Sequence, residues 1–475
     1  MSTTSKAGER IASLLDENSF VEIGALVTKR STDFDLKQVQ ADSDGVITGY
    51  GLIDGRLVYV YSQDASVLNG TIGEMHAKKI ANLYDFALKM GAPIIGILDS
   101  AGLRLEESTD ALEGMALIYS KQALASGVIP QINAVFGNCG GGLAISEMMA
   151  DFTFMEEKNA KLFVNAPNAL DGNYTAKCDT AAASYQLEAG NVDAIGSEEE
   201  CLAKIRELVS ILPSNNDAYC DLGECSDDLN RVCEGIEGLT GDTQVLISQL
   251  ADDYNYVEVK ADYAKAVTVG FIKLNGNTVG VIANRGEVLG EDGKVTEKFD
   301  NLLCPKCMGK AKEFVNFCDA FSIPVLTITN VKGFKANVNA EKHMAKAAAK
   351  LAFSFANATV PKVNLYIGKA FGSAYTVMNS KSVGCDLTMA WPDAEIGTME
   401  AGLAAKIMYP DADQETLNVK KAEYAKLQNN VLSAARRGYI DQIIEPKDTR
   451  KYLIGAFEML YTKVEDRPAK KHCTK

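Results

Sequence analysis

Two glycine-rich runs stand where a strand would pass into a helix: GNCGGG from Gly137 to Gly142, and GKAFGSA from Gly368 to Ala374. A strand that ends in glycines and turns straight into a helix presents main-chain N–H groups at the positive helix end, where no intrahelical acceptor exists. Glycine also lets a substrate carbonyl approach closely. Donors of this kind hold an oxyanion or enolate, and losing one costs about 2.7–4 kcal/mol of barrier. Gly141 and Gly142, and Gly372, Ser373 and Ala374, are therefore the candidate catalytic positions. Tight strand–helix packing would use the same glycines and stands as the alternative reading, less favoured because the pattern occurs twice at one offset.

Few motifs single out a side chain as acid, base or nucleophile. Of the three histidines, His76 lies among lysines on a predicted helix and His472 lies in the charged tail. No G-x-S-x-G marks a nucleophilic serine. Glu106, Glu107 and Glu147 are carboxylates near the first run, where a helix cap and a solvated face account for them as well. Cys304-Pro305-Lys306-Cys307 is a lone C-x-x-C; zinc would need two more ligands, and Cys318 is the only near one, so neither metal nor redox chemistry is expected. The segment Gly286–Lys294 imitates a phosphate loop, but no Ser or Thr follows Lys294, and a turn is expected. The lone Trp391, before Pro392, reads as packing. Walker and dinucleotide motifs are absent, as is a Met-Lys-Met for biotin attachment, so an organic cofactor, if one takes part, would come from outside this chain.

The surroundings of the two runs match. Gly372 lies 231 positions after Gly141, and the same offset relates Pro93 to Pro324, Gly102 to Gly333, Pro130 to Pro361 and Gly137 to Gly368. This is an internal duplication of one supersecondary unit. Ser100, Ala101 and Gly102 in the first copy, and Lys332 and Gly333 in the second, are candidate substrate-binding residues. Periodicity predicts a helix and short strand over 7–25 and strands at 46–51 and 57–63. A helix follows over 73–90, then a buried strand from Ile94, a helix over 111–126, a strand over 132–136 and a helix over 143–149. In the second copy the counterparts are helix 309–321, strand 325–329, helix 341–357, strand 363–367 and helix 374–382. Short apolar strands alternating with helices imply an α/β fold with parallel or mixed sheets. The polar, acidic stretch 212–228 is the expected linker, and the tail from Glu465 is expected to be extended.

The chain has 475 residues, enough for two or three domains with real cores. Its net charge of −15 argues against a nucleic-acid partner. The start from Met1 to Arg10 is polar, so no secretory signal is expected, and no apolar run is long enough to span a bilayer. A cytoplasmic protein with reduced thiols is expected, held peripherally at the inner membrane if a partner docks it there.

Several strings resemble the carboxyltransferase subunits of biotin-dependent acyl-CoA carboxylases and decarboxylases, a family that includes propionyl-CoA carboxylase β-subunits and methylmalonyl-CoA decarboxylase α-subunits. They include SFVEIGAL (19–26), DGVITGYGLIDGRLVYVYSQD (44–64), GEMHAKKI (73–80), VNFCDAFSIPVL (315–326), AWPDAEIGTM (390–399) and ARRGYIDQIIEP (435–446). The likeness runs in order from about Gly8 to Lys471. It implies two duplicated crotonase-like (ββα-spiral) domains: 1–225 on the acyl-CoA side and 240–475 on the biotin side. It also implies an active site shared between protomers, and hence a homo-oligomer from dimer to hexamer. The implied partners are acyl-CoA, a biotin carrier protein, and either a biotin carboxylase subunit or a sodium-pumping membrane decarboxylase subunit. Carried over by position, Gly141 with Gly142 and Ser373 with Ala374 are two oxyanion pairs, one for the thioester and one for the ureido oxygen of biotin. The biotin nitrogen serves as base in such enzymes. Departures from the family pattern are DSAGLR (99–104), Asn284-Arg285-Gly286, NVKGF (330–334) and Ser373. Lys332 and Arg285 suggest a substrate with an extra negative charge. The rival expectations are a biotin-independent hydratase or isomerase using Glu106 and Glu147, and an acyl-CoA-binding scaffold.

Overall fold

The computed structural model describes residues 5–30, 41, 43–218, 223, 225–290 and 292–468. The end of the expected tail, with His472, lies outside them. The chain divides into two compact units, Met1–Ala218 and Tyr219–Lys475.

The first unit is built on a seven-stranded sheet of β1 (Val21–Glu22), β2 (Val46–Ile53), β3 (Arg56–Gln63), β4 (Ile94–Leu98), β5 (Gln131–Val135), β6 (Phe152–Glu156) and β7 (Ala194–Gly196), in that spatial order. The first three strands pair antiparallel and the rest parallel. Helix α1 (Lys6–Leu14) opens the chain, α2 (Glu74–Met90) and α3 (Ser108–Ala125) make the crossovers, and the short α4 (Gly142–Glu147) follows the glycine run. The central strands β4 and β5 are buried along their whole length, as expected of parallel strands covered on both faces.

The second unit repeats the plan. Strands β8 (Tyr256–Val259), β9 (Val267–Leu274), β10 (Asn277–Asn284), β11 (Val325–Val331), β12 (Lys362–Phe371), β13 (Leu387–Ala390) and β14 (Gln442–Ile443) lie side by side in that order. Again three strands are antiparallel and the rest parallel. Helices α5 (Pro305–Ala320), α6 (Val338–Asn357) and α7 (Gly372–Val377) stand where α2, α3 and α4 stand in the first unit. Strands β4 and β11 begin at Ile94 and Val325, and β5 and β12 at Gln131 and Lys362, so each pair keeps the 231-residue offset.

Two expectations are corrected here. The first domain does not run to 225, nor does the second begin at 240, because the residues from 225 onward pack on the second unit. The fully buried Arg450 pairs with Asp227, Arg231 donates to the carbonyls of Gln249 (2.9 Å) and Ala251 (2.8 Å), and the Cys233 N–H donates to Lys447 O. The helix expected over 374–382 stops at Val377, because a bend at Met378 turns the chain into a buried Asn379-Ser380 segment.

Glycine at 137 is forced by contact. A Cβ there would sit 1.9 Å from Asp99 Oδ1, and Asp99 is held by Arg10, whose guanidinium also pairs with Glu198. Gly137→Ala should lower stability by about 1–3 kcal/mol through forced displacement. Gly455→Ala, in the open on the helix Thr449–Leu460, should raise it by about 0.5–1 kcal/mol. Urea-unfolding midpoints of the two variants check both signs.

Candidate functional site

In the first unit the chain leaves β5 and runs through Asn138–Gly140, which pairs in parallel with Lys161–Phe163. It then turns at Gly141 with φ 61° and enters α4. That left-handed φ is why a glycine is needed at the turn. The Gly141 N–H donates to Phe163 O at 2.9 Å, and the Ala144 N–H to Gly141 O at 3.2 Å. This corrects the role expected of Gly141: its amide is spent on the short ladder, and what it supplies is the turn. The amides left without an intrahelical acceptor are those of Gly142 and Leu143, at the first two positions of the helix. The Tyr119 hydroxyl donates to Gly142 O at 2.6 Å and fixes that peptide plane.

The second unit turns in the same way. Strand β12 passes into α7 at Gly372, with φ 63°. Ser373 and Ala374 occupy its second and third positions, where an N–H has no intrahelical partner. By the shared offset they match Gly142 and Leu143. The equivalent donor pairs are therefore Gly142–Leu143 and Ser373–Ala374, one residue later in the first unit than the sequence suggested. Ser373 is exposed and Ala374 is buried.

Beside each turn lies the other predicted segment. The Ser100 N–H donates to Asn138 O (2.8 Å), Ala101 N–H to Asn69 O (3.0 Å) and Gly102 N–H to Ser100 Oγ (3.1 Å). These three amides are occupied, so the segment can shape a pocket wall but offers no free donor. In the second unit Gly333 pairs with Leu302 across a short parallel ladder, and the Lys332 N–H donates to Asn301 O at 2.9 Å. The Lys332 side chain is exposed and lies near Glu400. Arg285 is not available to a ligand. It is buried, forms an ion pair with Asp242, and donates to Gln244 Oε1 (2.9 Å) and Glu287 O (3.1 Å).

Four side chains to which sequence reading gave no role align the turns. Gln63 Oε1 accepts from Asp99 N–H at 3.1 Å, and Asn284 Oδ1 from Asn330 N–H at 3.0 Å, tying the end of one strand to the next. Asn133 Nδ2 donates to Glu147 Oε2 at 2.8 Å, while Asn364 Nδ2 donates to the carbonyls of Met378 (2.7 Å) and Asn379 (2.8 Å). In both units an asparagine inside the strand before the glycine run braces the far end of the short helix after it. The 231-residue offset relates Asn133 to Asn364, and that identity was the available signal.

The ionisable residues near the first turn are buried rather than poised. Burial pushes Glu147 up to about 7, against the hydrogen bond from Asn133. His76 is fully buried, its Nδ1 2.9 Å from Asp44 O, and burial drives it down to about 3. Glu106 is exposed, so Glu106 and Glu147 do not form a carboxylate pair lining one hole. Within Gly286–Lys294, Glu287–Leu289 pairs antiparallel with Val295–Lys298, so the described residues there belong to a hairpin. Among the described residues no cluster of His, Cys, Asp and Glu could hold a metal ion.

The carboxyl transferase domain family matches residues 4–474. The chain is similar to the methylmalonyl-CoA decarboxylase subunit alpha of Propionigenium modestum, with 38% identity over 98% of this chain and 92% of that protein. It is equally similar to the propionyl-CoA carboxylase beta chain of Roseobacter denitrificans, with 38% identity and the same coverages. Its structure resembles that of transcarboxylase 12S, a hexamer crystallised with hydrolysed methylmalonyl-coenzyme A, at a TM-score of 0.91 and 34% identity, covering 100% of this chain and 93% of that one.

A carboxyl raised by burial destabilises the fold as it ionises. The native state binds the Glu147 proton up to about pH 7 and the unfolded chain only to about 4.5, so stability falls as pH rises through that window. Glu147→Gln keeps an acceptor for Asn133 and removes the charge. The variant should match the wild type below about pH 4.5 and exceed it in stability increasingly towards pH 8, with carboxyl-transfer activity retained. Urea midpoints against pH, together with a transfer assay, check this.

Proposed function

The chain belongs to the carboxyl transferase family, and from that premise we propose that it moves a carboxyl group between biotin, borne on a separate carrier protein, and the α-carbon of a short acyl-CoA. The observation that carries this reading is the matched pair of glycine turns, each opening a short helix whose first amides lack intrahelical acceptors. Removing an α-proton, or losing CO2 from the α-carbon, leaves an enolate whose charge sits on the thioester oxygen. One amide pair would hold that oxygen without adding charge of its own. The other pair would face a urea carbonyl, a neutral acceptor for which N–H donors without a cation are the fitting partners. When bound, biotin supplies the carboxyl group and the ureido nitrogen that exchanges the proton.

The buried state of Glu147 and His76 supports a mechanism in which this chain lends no acid or base. Its residues orient and polarise, and the rate comes from fixed dipoles and positioning. The same amides serve either direction. With an ATP-dependent biotin carboxylase as partner the chain carboxylates, and with a sodium-pumping membrane subunit it decarboxylates. No helix in the described residues is long and apolar enough to cross a membrane; a cytoplasmic chain that meets a membrane only through such a partner is part of this proposal. A homo-oligomer, as large as the hexamer of transcarboxylase 12S, is supported by the apolar residues Leu403, Ile407 and Met408 exposed on the helix Ala401–Met408.

Main-chain donation is tested by removing one N–H at a time. Gly142→Pro places proline at the first helical position, where its backbone is tolerated, and Ala374→Pro does so in the first turn of α7. Each should lower kcat about 10²–10³-fold with circular dichroism unchanged, whereas Ser373→Ala, which keeps its amide, should stay within about twofold. Label transfer from carboxybiotin to a panel of acyl-CoAs reads all three, and near-normal turnover of both proline variants would refute the assignment. Lys332 is proposed to favour a carboxylated acyl chain. Lys332→Met, which preserves the N–H to Asn301, should lower kcat/KM for a succinyl-type thioester at least about tenfold relative to propionyl-CoA, and an unchanged ratio removes Lys332 from specificity.

A further inference from the structure

We propose that Cys304 and Cys307 form a redox-active dithiol that takes a low-molecular-weight disulfide as its substrate. Cys304 is the N-cap of α5, Pro305 opens the helix, and Cys307 lies one turn in. The two sulfurs are 2.6 Å apart, inside van der Waals contact, and the Cys307 N–H donates to Cys304 Sγ at 3.2 Å. Cys304 is partly exposed and Cys307 is buried, so an incoming molecule meets the first sulfur while the second waits behind it. A helix start favours a thiolate at that position.

The neighbourhood supports an attacking thiolate. The hydrogen bond from Cys307 brings Cys304 down to about 6, with its own main-chain N–H contacts and Lys335 acting in the same direction, while Cys307 is raised. Lys335 follows the strand Gly333–Phe334, and its N–H donates to Leu303 O just before the dithiol. Lys310, one turn beyond Cys307, is buried and donates to the carbonyls of Lys260 (2.7 Å) and Tyr263 (2.9 Å), fastening that turn against the helix start. Lys306 lies over the Tyr263 ring, and Glu258 faces Lys310. A zinc site is not the alternative, because no third or fourth ligand completes a cluster among the described residues.

The step balances without further reagents. The Cys304 thiolate attacks one sulfur of the small disulfide, forming a mixed disulfide and releasing the other half, which takes a proton from water. Cys307 loses its proton to solvent and attacks Cys304 Sγ, expelling the second half. Two electrons pass to the small molecule, which leaves as two thiols, and the protein keeps one Cys304–Cys307 disulfide. This reading does not depend on the carboxyl-transfer assignment. The segment is nonetheless contiguous with it, because the Leu302–Leu303 strand just before Cys304 pairs with Gly333–Phe334.

The test uses the full-length, reduced chain in buffers of oxidised and reduced glutathione, quenched with acid, alkylated and mapped by peptide mass. A disulfide within the 304–307 peptide should form while the exposed Cys178 remains alkylatable. At pH 6 Cys304 should alkylate about tenfold faster than Cys178, the gain in thiolate outweighing its lower intrinsic nucleophilicity. Cys307→Ser should trap glutathione on Cys304. Cys304→Ser, which keeps a good N-cap, should abolish both products in a folded protein. If both cysteines remain free across the series, or Cys304 and Cys178 react in parallel, the proposal is wrong.

Discussion

Everything at each turn rests on a backbone conformation that only a residue without a Cβ adopts cheaply: Gly141 at φ 61° and Gly372 at φ 63°. The positive φ swings the chain from strand into helix in one residue, so the next two N–H groups emerge together at the helix start. Neither helix is long enough to be stable alone, at six residues each. Their geometry is therefore borrowed from what surrounds them, chiefly Asn133 and Asn364, which reach from the preceding strand to the end of the helix and pin both ends of the turn.

The two units have kept this frame and diverged in charge. At one matched position the first unit has Asp99, ion-paired with Arg10, and the second has Asn330, whose Oδ1 accepts from the Lys369 N–H at 3.1 Å. Both side chains sit against a glycine, Gly137 or Gly368, which a methyl group would push away. The helix-end partner is Glu147 in one unit and main-chain carbonyls in the other. Each half thus keeps the asparagine brace while the charges around it differ.

Much of this was legible from the chain. The 231-residue offset foresaw two copies, and strands β4, β5, β11 and β12 begin where it places them. The lone C-x-x-C was seen but read as inert, because a sequence cannot say that one cysteine caps a helix while the other is buried beneath it. Arg285 was read as a ligand contact for the same reason. Its partner Asp242 is 43 residues away in the chain, and only folding shows that the guanidinium is already satisfied.

Residue types and spacing by themselves determined the α/β class, the duplication, the two glycine turns and the family, since all of these follow from local pattern and offset. Which of the glycine-turn amides is already engaged was decided only by the tertiary structure. Whether the N–H of Gly141 faces a ligand or Phe163 O depends on a parallel ladder with a strand some twenty residues on, and hydrogen-bond pairing across that distance is set by the packing of the whole unit.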